Sequence, residues 1–245
     1  MAQAKYPLGI VLGFALLVWA PAASGMHFTA EPPVLHIQGR VSPDDWATWE
    51  DAMARYRGTI DTVVLHNSPG GHSATGRKIG EAIRALGMRT VVAGRCRSAC
   101  ADMFLGGKER LFTESPGEAV LGYHGTYNKV TKQVNKTRPG DYYVKMTDAR
   151  MGQDVIERFI RLENNKGFLF LVHPEQHKRK ALPLAYLCKG DENTRNFAGE
   201  CASVDGVDAL SSGVVTSWKL VATPKAPKAP PVPKAPAPAP STKNW

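Results

Sequence analysis

What most constrains the fold of this chain is a pattern between Val63 and His124 that joins apolar strands to glycine-bearing turns. Asn67-Ser68-Pro69-Gly70-Gly71 comes directly off the apolar run Thr62-Val63-Val64-Leu65. Cys96-Arg97-Ser98-Ala99-Cys100 follows a second run, and Gly122-Tyr123-His124-Gly125 follows a third, 26 residues after Ser98. Strands that alternate with helices imply a parallel sheet with helical crossovers, and in such a sheet the strand ends on one edge meet in space.

The wider pattern alternates in the same α/β manner. Val34 to Gly39 reads as a strand. A helix follows, capped by Ser42 with Pro43 at its first position, and Trp46, Trp49, Met53 and Tyr56 share one face. After the strand at 62–66, Ile79, Ile83 and Leu86 mark a helix ended by Gly87. A strand over Arg89–Ala93, a buried helix over Ser98–Leu105, and strands over Arg110–Thr113 and Ala119–Tyr123 come next. Residues 126–141 read as a polar, lysine-rich loop closed by Pro139-Gly140, and Val155, Phe159 and Leu162 belong to a helix. Phe168–Val172 is a further apolar segment, Leu184–Cys201 reads as a hairpin, and Val207–Val215 as a small helix-strand unit.

The two ends lie outside this frame. Lys5, the apolar stretch Leu8–Trp19 and the small residues up to Gly25 describe a secretory signal peptide, 1–25, with an uncleaved N-terminal anchor as the rival. The apolar part is short for a membrane span, which needs about 20 residues. Residues 222–245 hold eight of the chain's 18 prolines and four lysines without an acidic residue. Such a tail favours extended polyproline II segments over a packed core, and reads as a solvated spacer or a contact with an anionic envelope polymer or membrane surface. Its lysines supply four of the formal +9 charges, so residues 26–221 are only mildly basic. No basic stripe with interleaved aromatics appears, so no nucleic-acid partner is expected.

Four cysteines in an exported chain favour disulfides. They allow three connectivities, and pairing of near neighbours, Cys96 with Cys100 and Cys188 with Cys201, is the expectation. One helical turn separates the first pair, about 5–6 Å between Cα atoms, which a disulfide spans. Neither C-x-x-C nor a histidine pair points to zinc, and no metal or cofactor is expected.

The chemistry follows from the strand ends. A strand that enters a helix through Ser-Pro-Gly-Gly leaves N–H groups unpaired, and these can stabilise a developing oxyanion. Ser98 at the next strand-to-helix junction is by itself more often a cap than a nucleophile. With His124 at a third strand end it becomes a nucleophile beside a general base.

Taken together, Asn67-Ser-Pro-Gly-Gly71, Gly94-x-x-x-Ser98-Ala, Phe104-Leu-x-Gly and Gly122-Tyr-His124 resemble the Clp protease proteolytic subunit. They are closer still to small exported Clp-protease-like proteins of the ClpP/crotonase fold. The resemblance covers residues 34–125 and, more loosely, 205–217. It implies an α/β fold, a spiral of ββα units with a mainly parallel sheet. It also implies Ser98 as nucleophile, His124 as base, and an oxyanion hole from the N–H groups of Gly71 and Ala99, beside Gly70. The family's third residue is an aspartate, whose place here falls near Glu200 or Asp205. The substrate implied is a peptide or protein, the compartment the periplasm or cell envelope, and a homo-oligomer is allowed, although residues 126–181 do not match the family's ring-forming helix.

Three activities compete on this basis. The first is an exported serine hydrolase, a peptidase using Ser98 and His124. The second is a Ser-Lys peptidase resembling signal peptide peptidase A, with Lys145 as base. The third is a non-catalytic binding module on the same fold. A coenzyme A enzyme of crotonase type stands behind all three.

Overall fold

The computed structural model describes residues 25–114, 119–128, 130–131, 139–162, 166–190 and 201–222. Residues 1–24 of the expected signal peptide, residues 223–245 of the proline-rich tail and Glu200 therefore lie outside the described residues. Its frame is a ten-stranded sheet. The parallel centre consists of β2 (Val34–Gln38), β3 (Thr62–Ser68) and β4 (Arg89–Arg97), with α1 (Asp45–Arg55) and α2 (Ser73–Ala85) as crossovers. β3 is apolar along both faces and almost wholly buried, as a strand covered on each side must be.

β4 is longer than its apolar run predicts, and it carries the fold's main branch point. Between His66 and Ser68 of β3 the register shifts, with an extra residue on β4 near Gly94. This bulge bends the strand. Its first half pairs with β5 (Glu109–Thr113) and its second half, Arg95–Arg97, pairs with β6 (Val120–Tyr123), both in parallel. Gly94 is thus a change of neighbour and not the strand's end, and β4 runs four residues past its expected end at Ala93, up to Ser98. The short, fully buried helix α3 (Ala99–Phe104) begins immediately after Ser98.

Antiparallel strands flank this centre. β1 (His27–Glu31) folds back on β2 through Pro32–Pro33, joined by a cis peptide bond. On the other side β6 pairs with β7 (Phe168–Val172), then β8 (Ala185–Cys188) and β9 (Ala202–Ser203) follow. β7 alternates between two cores. Leu169 and Leu171 join the main cluster, whereas Phe168, Phe170 and Val172 join a second one with Tyr186 and Leu182. One antiparallel strand on one side, β1, and three on the other, β7 to β9, make the sheet mixed at its edges around a parallel middle.

Several local expectations are corrected. Ser42 does not cap α1: the helix begins at Asp45, whose carboxylate accepts the N–H of Ser42 at 2.7 Å and that of Met26 at 3.0 Å. Asp45 thereby ties the helix start to the chain entering β1. Leu86 lies past the end of α2 and is exposed, because its turn carries it off the face that buries Ile79 and Ile83. Pro139 and Gly140 open α4 (Pro139–Met146) instead of closing a loop, and α5 (Gln153–Ile160) packs beside it. α6 (Pro174–Lys180) sits between β7 and β8, where no helix is expected from the sequence.

Residues 207–215 form turns and no helix-strand unit. The buried guanidinium of Arg110 accounts for this. It donates to the carbonyls of Gly107, Gly213 and Val214 at 2.6, 2.8 and 2.9 Å, so the 213–214 carbonyls are held by a side chain and not by a strand ladder. The strand of this region comes later, as β10 (Leu220–Val221), parallel to β5.

Candidate active site

Three turns of backbone converge at the carboxyl ends of β3, β4 and β6. The Asn67 carboxamide accepts the N–H of Arg95 at 3.1 Å and lies against Gly94, so it holds the bulge of β4 open. Ser68 is buried, and its hydroxyl accepts the Gly70 N–H at 3.2 Å, closing the turn around Pro69. Gly70 has a φ of +83°, a left-handed conformation that suits glycine. A Cβ at Gly70 would also run into the Arg97 carbonyl and stand 2.6 Å from the Ser98 Cβ. The glycine turn is therefore packed directly on the Ser98 backbone.

Gly71 bridges to Val41. The Val41 N–H donates to the Gly70 carbonyl at 3.0 Å, and the His72 N–H donates to the Val41 carbonyl at 2.9 Å. In such a bridge the N–H of the central residue points to the opposite side. Of the three N–H groups expected to line an oxyanion hole, that of Gly70 is engaged by Ser68, while those of Gly71 and Ala99 have no hydrogen-bond partner among the described residues.

Ser98 has φ +55° and ψ −128°, a backbone conformation that few non-glycine residues adopt. Holding it costs on the order of 1–3 kcal/mol. Its N–H donates to the Gly122 carbonyl at the end of β6 (2.8 Å), and its carbonyl accepts the Asp102 N–H in the first turn of α3 (3.0 Å). The side chain makes no cap hydrogen bond to the helix. It turns instead toward His124, whose Nε2 lies 2.6 Å from the Ser98 Oγ. A sharp, strained strand-to-helix turn that exposes a serine hydroxyl to a histidine is the geometry of a nucleophile elbow.

The disulfide between Cys96 and Cys100 closes over this turn, with Cα atoms 5.3 Å apart and both side chains fully buried. A second disulfide joins Cys188 at the end of β8 to Cys201 before β9, with Cα atoms 4.6 Å apart.

His124 is largely buried, with Phe168 at 4.4 Å and Tyr127 at 5.5 Å between ring centroids. Burial, with the positive charge of Arg97 acting in the same direction, pushes its pKa from 6.5 down to about 4. The imidazole is consequently neutral at pH 7 and Nε2 can accept a proton. Among the described residues no carboxylate is hydrogen bonded to it. Asp205 is exposed and accepts a hydrogen bond from the Ser203 hydroxyl at 2.7 Å, and it is not hydrogen bonded to His124. Lys145 is placed elsewhere: it is exposed on α4 and pairs with Glu81 at 3.0 Å. No cluster of three His, Cys, Asp or Glu side chains among the described residues is arranged to hold a metal.

Sequence reasoning passed over Asp102. It is fully buried in α3, one turn beyond Ser98, and its carboxylate takes Arg77 Nε at 3.2 Å and the Tyr143 hydroxyl at 2.9 Å. Its own carbonyl accepts the Tyr142 hydroxyl at 2.7 Å. Burial pushes the Asp102 pKa up, and Arg77 and Tyr143 act against that. This cluster pins α3 to α2 and α4. The signal was an acid within Ala99-Cys-Ala-Asp-Met-Phe104, since a carboxylate in a helix otherwise apolar on every face requires a buried partner.

No protein-family model matches the chain, and a search of curated proteins finds no match. Solved structures do resemble it. A serine-to-alanine mutant of the membrane-bound stomatin-specific protease 1510-N is similar at 13% identity over 59% of this chain and 73% of that one, with a TM-score of 0.39. A ClpP1 mutant from Listeria monocytogenes is similar at 15% identity over 78% of this chain and 92% of that one, with a TM-score of 0.39. A putative enoyl-CoA hydratase from Streptomyces coelicolor A3(2) is similar at 13% identity over 70% of this chain and 69% of that one, with a TM-score of 0.41. These are distant likenesses, and the chemistry of the site stands on its own geometry.

Proposed function

We propose that this protein is a serine hydrolase, a peptidase, in which Ser98 is the nucleophile and His124 the general base. The observation that carries this reading is the 2.6 Å approach of His124 Nε2 to the Oγ of a serine held at φ +55°. Strain of that kind persists only where surrounding contacts impose it, and it concentrates at reacting residues.

The chemistry follows the atoms. Ser98 Oγ attacks the scissile carbonyl carbon while its proton passes to His124 Nε2, which requires the ring's other nitrogen to carry the proton beforehand. The carbonyl oxygen becomes an oxyanion and takes hydrogen bonds from the N–H groups of Gly71 and Ala99. His124 then returns the proton to the leaving amine, and water repeats the sequence to release the acyl group. Phe168 and Tyr127 keep bulk water from the imidazole. Two disulfides suit an oxidising compartment, which supports export to the periplasm or envelope.

A second reading, a non-catalytic binding module, is favoured by one observation: among the described residues no carboxylate orients His124. A fluorophosphonate probe separates the two. The hydrolase labels at Ser98, and His124→Ala lowers the labelling rate by about 100-fold or more. Lys145→Ala leaves it unchanged. Absence of labelling in a folded wild-type protein, or equal labelling of Ser98→Ala, removes the catalytic reading.

A further inference from the structure

Beside the nucleophile lies a cleft of about 380 Å³ lined by Asn67, Ser68, Pro69, Arg95 and Arg97. Arg95 and Arg97 stand two residues apart on β4 and so project from the same face of the strand. Neither is paired with a carboxylate among the described residues. Arg97 is half-buried, and its Nε is buried without a hydrogen-bond partner among the described residues. Its guanidinium sits 5.7 Å from the Phe168 ring, the ring that also packs on His124. Two adjacent cations with no counter-ion among the described residues, one of them with a buried donor unsatisfied by those residues, form an arrangement that costs free energy unless an anion completes it.

We infer that this cleft selects substrates bearing a carboxylate next to the scissile carbonyl, with Arg97 binding it and Arg95 reinforcing the field. The inference rests on the hydrolase reading and specifies its substrate class. A planar guanidinium matches a carboxylate through paired N–H···O bonds, which gives orientation as well as attraction. Placement next to Ser98 has a second consequence. The positive charge of Arg97 opposes formation of the His124 imidazolium, and a carboxylate seated on Arg97 offsets that opposition. The substrate thereby supplies part of the negative charge that an orienting carboxylate provides in other serine hydrolases.

Binding is measured separately from turnover, so that the two readings fail separately. Ser98→Ala protein is titrated by fluorescence anisotropy with two matched fluorescent peptides, one carrying glutamate and the other glutamine at the position preceding the scissile bond. The glutamate peptide is expected to bind about tenfold tighter or better, with the preference shrinking as NaCl is raised from about 50 mM to about 500 mM, which shortens the screening length about threefold. Adding Arg97→Met abolishes the preference without weakening the glutamine peptide. Should Arg97→Met unfold the protein, Arg95→Met, at an exposed position, decides by reducing the preference alone. Equal binding of the two peptides to the Ser98→Ala protein, or a preference untouched by the arginine variants, overturns the inference. Failure of probe labelling in wild type, with the glutamate preference intact, overturns the hydrolase reading and leaves the anion cleft standing.

Discussion

Acidification provides a quantitative test of His124. Burial first, and the neighbouring Arg97 second, hold its pKa at about 4 instead of 6.5. A base with that value is still about nine-tenths neutral at pH 5, whereas an ordinary histidine is only about 3% neutral there. Fluorophosphonate labelling of Ser98 should therefore keep most of its pH 7 rate at pH 5 and halve near pH 4. An unperturbed imidazole would lose about 25-fold over the same interval from pH 7 to pH 5. Pre-steady-state labelling in short pulses at 10 °C measures this before unfolding intervenes. An inflection near pH 6.5 would refute the buried, Arg97-flanked environment of the base, and a rate independent of pH from 7 to 3 would remove His124 as the base altogether.

Stability moves in the same pH window, with a definite sign. The folded pKa lies below the unfolded one, so between about pH 6.5 and 4 the unfolded chain binds the proton that the folded chain refuses. Stability thus falls as the pH drops through that window and is unaffected above it. The gap between 6.5 and about 4 corresponds to a ceiling of about 3 kcal/mol lost by pH 4. Urea midpoints at pH 7 and pH 4.5, compared between wild type and His124→Gln, isolate this contribution. The variant should lose less on acidification.

Two further outcomes follow from the elbow. Gly70→Ala places a methyl against the Arg97 carbonyl and the Ser98 Cβ at a φ of +83°, so it should cost more than about 2 kcal/mol and slow Ser98 labelling by about 100-fold, read by urea unfolding and probe kinetics. The two disulfides should separate stability from reactivity. By loop-closure entropy the Cys188→Ala/Cys201→Ala pair costs about 3 kcal/mol and the Cys96→Ala/Cys100→Ala pair about 2 kcal/mol. Only the second pair is expected to depress labelling, by about tenfold, because only it closes over Ser98.

The elements legible in the sequence are those whose apolar pattern is local. β3, the Ile79–Ile83 face of α2 and the buried helix after Ser98 each follow from short runs that only one environment can satisfy. What was missed depends on distant partners. β1 takes its register from β2 across a Pro-Pro turn that composition alone reads as a break. The continuation of β4 past Gly94 depends on the Asn67 carboxamide accepting the Arg95 N–H, a contact 28 residues away in sequence. The turns at 207–215 depend on Arg110, more than 100 residues upstream.

The same distinction applies within the site. Residue types at 98 and 124, and their place after two apolar strands, are enough to nominate a nucleophile and a base. The conformation that turns Ser98 toward His124 is not encoded at position 98, since serine there would otherwise cap α3 in an ordinary extended conformation. It is imposed from outside. Gly122 fixes the Ser98 N–H, Gly70 leaves room on the Ser98 Cβ, and the Cys96–Cys100 bond ties the strand end to the first turn of α3. Each of these acts on the backbone and none touches Oγ. A variant that relaxes the turn should therefore restore the cap hydrogen bond from Ser98 to α3 while drawing Oγ away from His124, and so gain local stability as it loses reactivity.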